Sequence, residues 1–261
     1  INVVIPRWGL EQKVNATTPG IAGIMANLIK QMGLSDEHMT IEVFPNVPRA
    51  MGLGGSSALA VAIVRALNRT YELALPEAQI NALAFECEQA AHGRASGVDN
   101  TVATYGTPLY YQRQDDESKF ETLNLGQPLD LVIGITGKES LTAETVEQVR
   151  RSWQQYPDRY ETIFDQIGAL TQSARTALKN GQLQELGELM NLCHGYLNAL
   201  QLSTPKLEDL IHIARSNGAV GAKLTGGGGG GSMVALCPDS GERVRNAMQA
   251  VGYKTLCVTL D

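Results

Sequence analysis

Cysteine is scarce and scattered. Cys87, Cys193, Cys237 and Cys257 lie far apart in no paired spacing, so neither a structural zinc site nor a disulfide framework has support, and reduced thiols in a cytoplasm are the default. No apolar run approaches the ~20 residues needed to span a bilayer, and no signal-peptide pattern opens the chain. Basic charge is in deficit: 21 Lys and Arg against 27 Asp and Glu give a net charge of −6. That balance argues against a broad nucleic-acid surface while leaving room for a local basic pocket around a phosphate. Internal repeats at a solenoid period are absent. An initial Met is absent as well, and Ile1 falls within an apolar strand-like segment, so further chain is expected upstream.

What is present is a chain of 261 residues, 43% of them hydrophobic, enough to bury one large core or two smaller ones. Its organising stretch runs Pro48-Arg-Ala-Met-Gly-Leu-Gly-Gly-Ser-Ser-Ala58, a glycine-rich turn opening into an apolar helix. Gly52, Gly54 and Gly55 permit backbone conformations that a Cβ forbids, and the helix from about Ser56 offers unpaired N–H groups at a positive dipole end. Together these make an anion site, for phosphate above all. Ser56 and Ser57 add hydroxyls for a cap, a phosphate or a metal ion. The same residues also describe a plain strand-turn-helix corner with a Ser cap.

Around this stretch the periodicity predicts a strand at Ile1–Ile5, a helix from Thr18-Pro19 to about Gly33 and a strand at Met39–Phe44. The helix from Ser56 to about Asn68 is apolar on nearly every side, which predicts burial all round. A second helix spans Pro76 to His92. On it Glu88 lies ~80° from the centre of the apolar face, the position of a solvated rim carboxylate. His92 to Asp99 reads as a loop of turn formers, Tyr105 to Gln112 as a strand, and Asp115 to Lys119 as a solvated hairpin tip. From Gln127 the pattern changes to an apolar strand at Leu129–Ile135, four helices, six consecutive glycines at Gly226–Gly231, a strand, a helix and a last strand at Tyr253–Leu260. This predicts two α+β domains, 1–126 and 127–261.

Six glycines in a row describe a flexible linker in most contexts. Here Lys223-Leu-Thr225 precedes them and an apolar strand follows at once, so a folded turn approaching a ligand is the better reading. Two phosphate-type glycine loops in one chain point to one nucleotide bound by both.

The two loops, in this order and separation, resemble the second and third motifs of the GHMP kinases. Glu88-Gln-Ala-Ala-His-Gly-Arg-Ala-Ser-Gly-Val-Asp-Asn100 is similar to the mevalonate kinase segment of that superfamily, and Asn191-Leu-Cys-His-Gly-Tyr-Leu-Asn-Ala-Leu200 resembles its late helix. The resemblance implies an α+β, two-lobed fold with an N-terminal lobe like ribosomal S5 domain 2 and a ferredoxin-like C-terminal lobe. It implies transfer of the γ-phosphoryl of ATP to an alcohol, with ATP and Mg²⁺ required and mevalonate as acceptor. By the same resemblance Asp99 is the base facing the acceptor hydroxyl, and Ser57 and Glu88 hold the metal. Gly52, Leu53, Gly54, Gly55, Ser56 and Ser57 wrap the phosphates, Gly226, Gly227, Gly228 and Gly229 close over them, and Thr142 faces the substrate.

The chain departs from the pattern in two places. Its first loop carries one glycine more than the usual form, at Gly55, and Lys138-Glu-Ser-Leu141 before Thr142 is not the common flank. Lys138 reads as a solvated loop residue, His92 and His194 as hydrogen-bonded structural residues, and Arg94 as a candidate substrate contact. A related kinase for another hydroxy acid or a sugar, and a non-catalytic nucleotide-binding member, remain as alternatives, although a binding protein needs no base. The expected partners are small molecules, with no nucleic acid and no membrane, and a homodimer is compatible with the reading.

Overall fold

A computed structural model of the chain describes residues 1–14, 20–35, 37–48, 50–92, 95–114, 117–140 and 142–261. The expected helix start at Thr18-Pro19, Arg94 and the hairpin-tip residues Asp115 and Asp116 lie outside the described residues. The chain divides into two compact units. One comprises Ile1–Arg49 and Gly54–Phe120; the other comprises Ala50–Leu53 and Glu121–Asp261. Among the described residues no helix is long and apolar enough to cross a membrane.

The first unit holds a three-stranded sheet in the order β2-β1-β3, built from β1 (Asn2–Ile5), β2 (Leu10–Lys13) and β3 (Thr40–Glu42). β1 runs antiparallel to β2 and parallel to β3. Its helices are α1 (Ile21–Gln31), α2 (Gly55–Thr70), α3 (Glu77–His92) and α4 (Val98–Tyr105), followed by the hairpin of β4 (Leu109–Gln114) with β5 (Glu117–Thr122), whose last two residues are counted in the second unit. Val3, Ile5, Leu28, Ile29, Ile63, Val64, Leu67 and Ile80 pack into one core. α2 is not buried all round: Ala62, Arg65 and Ala66 are open to solvent, and only one face meets the core.

α4 stands where the sequence reads as the end of a loop and the start of a strand. Its inward residues are Asn100, Thr101 and Thr104, all buried. Hydrogen bonds rather than apolar contacts satisfy two of them: the Thr101 hydroxyl donates to Gly97 O at 2.6 Å, and Asn100 Nδ2 donates to Asn81 Oδ1 at 2.6 Å. A helix seated on polar side chains has no apolar periodicity to detect.

The second unit is organised on a four-stranded antiparallel sheet, order β7-β8-β6-β9, of β6 (Leu129–Ile135), β7 (Gly221–Thr225), β8 (Ser232–Leu236) and β9 (Lys254–Leu260). Its helices are α5 (Thr142–Gln155), α6 (Pro157–Asn180), α7 (Leu183–Ala199), α8 (Pro205–Ser216) and α9 (Gly241–Ala250). α8 starts as its sequence prescribes, with Pro205 in the first turn and the Thr204 hydroxyl accepting from Leu207 N. α8 and α9 cover one sheet face around Val132, Leu210, Leu224, Met233 and Met248. On the other, Leu129 and Leu236 pack with Ala177 and Leu186. α7 lies so close to β7 that a Cβ on Gly221 would fall 2.3 Å from Gly187 O.

His194 ties this packing together. It is buried on α7, its Nδ1 accepts from Leu224 N at 3.5 Å, and its Nε2 lies 3.0 Å from Glu208 Oε1 on α8. An accepting Nδ1 leaves the proton on Nε2, which donates to the Glu208 carboxylate. Burial, with Arg215 and Lys223 nearby, pushes the imidazole below its ordinary 6.5, against the opposing pull of Glu208. The unfolded chain therefore binds a proton more readily than the folded one as pH falls through about 6.5. This part of the stability is complete above that value and is lost below it. Urea unfolding of His194→Gln should lack the acid-side loss that the parent shows between about pH 7 and pH 5. Parallel pH profiles for the two proteins would exclude His194 as the titrating group.

Candidate functional site

In the first unit the site residues gather at the start of α2. The N-cap is Gly54 in the left-handed region, at φ 63°, and no side chain caps the helix. The plain Ser-cap corner is therefore not what forms, because Ser56 and Ser57 lie inside the first turn. No acidic side chain of the helix itself offsets the positive end of its dipole. The N–H groups of that turn are left for an external acceptor.

Asp99 comes to this end from the first turn of α4. A Cβ built on Gly54 would lie 3.6 Å from both the Asp99 carboxyl carbon and its Oδ1, which is ordinary contact distance. The carboxylate is solvent-exposed. It is not a loop residue: α4 fixes its direction.

Ser57 is fully buried, and its hydroxyl has no hydrogen-bond partner among the described residues. Leaving such a group unsatisfied costs about 1–3 kcal/mol, so a ligand at this hydroxyl would recover energy that the protein alone does not. Glu88 belongs to α3, which packs on α2 and is joined to it by residues 71–76. The short connection makes the two helices a hairpin, so the last turns of α3 flank the first turns of α2. Glu88 is 7% exposed, not the solvated rim carboxylate that periodicity predicts. α3 packs against α1, α2 and α4, and burial among helices covers a position that one helix considered alone leaves at the rim. A buried hydroxyl and a buried carboxylate are oxygen donors of the kind a hard divalent cation takes. Among the described residues no group of three or more His, Cys, Asp or Glu could hold a metal, so any cation here would draw further ligands from water or a bound anion.

In the second unit the two glycine segments meet. A Cβ on Gly52 would stand 3.0 Å from Thr225 O, and one on Gly226 would stand 2.8 Å from the Gly52 Cα. Neither position tolerates a side chain without backbone movement. Leu53 belongs to the same short segment, Ala50–Leu53. Thr142, the first residue of α5, borders the run: a Cβ on Gly227 would fall 2.8 Å from its Cγ2 and 3.0 Å from its Oγ1. Gly229 N donates to Leu202 O at 2.8 Å, and a Cβ on Gly228 would fall 2.4 Å from that same oxygen. The six glycines are therefore a folded turn and not a linker.

The loop after β6 holds the run in shape, through residues that no sequence motif marked. Thr136 donates from its hydroxyl to Gly231 O at 2.8 Å, and Gly231 N donates to Lys138 O at 2.7 Å. Ser140 reaches both glycine segments, its N–H donating to Ala50 O at 2.8 Å and its hydroxyl to Gly228 O at 2.6 Å. The signal available in the sequence was the pair of hydroxyl residues, Thr136 and Ser140, on either side of Gly137. Lys138 itself is exposed and contributes its carbonyl.

Residues 21–107 match the GHMP kinases N terminal domain, and residues 174–254 match the GHMP kinases C terminal domain. The chain is 36% identical over 231 residues to a mevalonate kinase of Thermococcus sibiricus, covering 87% of this chain and 68% of that one. It is 39% identical over 225 residues to a mevalonate kinase of Pyrococcus horikoshii, covering 84% and 66%. It spans about two thirds of the length of these curated relatives. The crystal structure of L. major mevalonate kinase in complex with R-mevalonate matches with a TM-score of 0.84 at 33% identity, over 91% of this chain and 75% of that one. Both glycine segments, both domain matches and these relatives lead to one conclusion: the chain belongs to the GHMP kinases, in their mevalonate kinase group.

Proposed function

We propose that this chain is an ATP-dependent mevalonate kinase, moving the γ-phosphoryl group of ATP to the primary alcohol of mevalonate. The observation that carries the reading is the Asp99 carboxylate set against Gly54 at the uncapped start of α2. A helix end that attracts a phosphate and a carboxylate able to take a hydroxyl proton are both required for phosphoryl transfer to an alcohol, and here they adjoin. The acceptor hydroxyl gives its proton to an Asp99 oxygen as its own oxygen bonds the γ-phosphorus. The bond to the bridging oxygen breaks, and its electron pair leaves with ADP.

The remaining roles follow from chemistry. The N–H groups of Gly54, Gly55, Ser56 and Ser57 face phosphate oxygens. Gly52, Leu53 and Gly226–Gly229 supply peptide groups that no side chain screens, and Thr142 offers a hydroxyl to the substrate. Ser57 and Glu88 would hold Mg²⁺, which when bound neutralises charge on the phosphates. All four cysteines are free thiols, in keeping with the reducing cytoplasm that we propose as the compartment.

A coupled ADP-release assay against mevalonate, phosphomevalonate, galactose and homoserine should show turnover with mevalonate. Asp99→Asn should lower kcat by ~10²–10⁴-fold and leave ATP affinity nearly unchanged. Near-parental kcat in a folded Asp99→Asn protein would remove it from the role of base. Glu88→Gln should raise the Mg²⁺ concentration needed for half-maximal rate, and Ser57→Ala should do so more mildly. An unchanged magnesium titration would leave Glu88 a structural carboxylate. Ser140→Ala should raise KM for ATP about 2–10-fold, the worth of one neutral hydrogen bond, with little change in kcat, and Ser140→Thr should restore it. Equal KM values in all three proteins would show that the hydroxyl does not position the glycine run.

A further inference from the structure

Ala95, Ser96 and Gly97 lie in no helix or strand, and they lead directly into α4, the helix that carries Asp99. Side chains from three elements hold their peptide groups. Ala95 N donates to Gln89 Oε1 of α3 at 2.9 Å, and Thr101 of α4 closes on Gly97 O. The other two bonds come from β4: Arg113 Nη1 donates to Ala95 O at 2.8 Å, and the Tyr111 hydroxyl donates to Ser96 O at 2.8 Å. Tyr111 and Arg113 are two residues apart on one strand and therefore share a face. That face grips two successive carbonyls just before α4 begins.

At Gly97 the fit is specific. This residue is the N-cap of α4, at φ +87°, and a Cβ on it would fall 2.6 Å from the Tyr111 hydroxyl and 3.5 Å from Phe85 Cε2. Glycine is needed there twice, for a backbone conformation that L side chains rarely adopt and for the room that the hydroxyl occupies. The cap residue has no side chain with which to fix the start of its own helix, and a phenol from another element stands in that space instead. α4 has only eight residues, and its buried ones are the polar Asn100, Thr101 and Thr104. With so little apolar contact to orient it, the direction of its first turn depends on how the chain enters at Ser96–Gly97. Asp99 lies two residues beyond that peptide. A turn of the peptide would swing the carboxylate away from Gly54, and a displacement of ~1 Å at a reacting group costs up to ~10²-fold in rate.

We infer that Tyr111, with Arg113 beside it, is a positioning residue for Asp99, aiming the carboxylate by holding the Ser96 carbonyl. The inference rests on the reading of Asp99 as the base. Tyr111 acts on the chemical step through the entry to α4, not through contact with ATP or the acceptor.

Steady-state kinetics of the whole chain with MgATP and mevalonate test it. Tyr111→Phe should lower kcat about 5–50-fold while both KM values change by less than about twofold. Arg113→Met should act in the same direction more mildly, and Arg113→Lys, which keeps a donor, should recover the rate. In an Asp99→Asn background no carboxylate is left to aim, so adding Tyr111→Phe should change kcat by less than about twofold. A residue that served only the stability of the unit would lower the rate equally in both backgrounds. Parental kcat in Tyr111→Phe beside a slow Asp99→Asn, losses that multiply in the double variant, or a raised KM for mevalonate at unchanged kcat would each overturn the role of Tyr111 and leave the base in place. Near-parental kcat in Asp99→Asn would instead bring down the base, and this inference with it. Should Tyr111→Phe fail to fold, Arg113→Met and Arg113→Lys carry the same comparison in the two backgrounds.

Discussion

A polyanion can be held by peptide N–H groups only where the backbone can be approached without side chains in the way, and this requirement governs the arrangement in the second unit. Gly52 occupies the space where a Cβ on Gly226 would stand, and Thr225 O crowds the space where a Cβ on Gly52 would stand. Two chain segments far apart in sequence thereby become one surface of peptide groups. Glycine pays for this in conformational entropy, since it has the most freedom to lose on folding. Compensation is visible in the number of bonds that restrain the run: Thr136, Lys138, Ser140 and Leu202 each hold one of its peptide groups.

In the first unit the requirement is met differently. α2 has no side-chain cap on its N-terminal N–H groups, because its N-cap is a glycine in the left-handed region, which has no side chain to offer. A Ser, Asp or Asn cap in ordinary N-cap geometry would gain only about a few tenths of a kcal/mol over glycine, and would occupy a donor that a phosphate needs. The buried, unpartnered hydroxyl of Ser57 carries the same logic one step further inside the helix. Local stability is given up at the points where a ligand would restore it. The buried face of α2 belongs to the same core cluster as Val3, Ile5 and Leu28, which holds the helix in place despite the loss.

His194 and Glu208 show how the body of the second unit supports the glycine run from behind. Leu224, whose N–H is held by the imidazole, precedes the run by two residues. A bond that spans α7, α8 and β7 thus fixes the strand from which the glycines emerge.

The sequence alone determined the parts that depend on local chemistry. Glycine spacing, the helical periods of α2, α3 and α6 to α9, and the alternation or continuity of apolar residues in β1, β6 and β8 follow from backbone sterics and from one-face burial, and both act over a few residues. Only the tertiary structure decided the rest. Whether Glu88 is buried depends on the helices that pack against α3; whether α4 is a helix depends on Asn81 and Gly97 satisfying Asn100 and Thr101. The place of Ser140 depends on two glycine segments meeting, and the openness of β9 depends on which strand takes the sheet edge. In each case the deciding partner lies many residues away in the chain or on another element. Periodicity records which face of an element is apolar, but it carries no record of what comes to rest against that face.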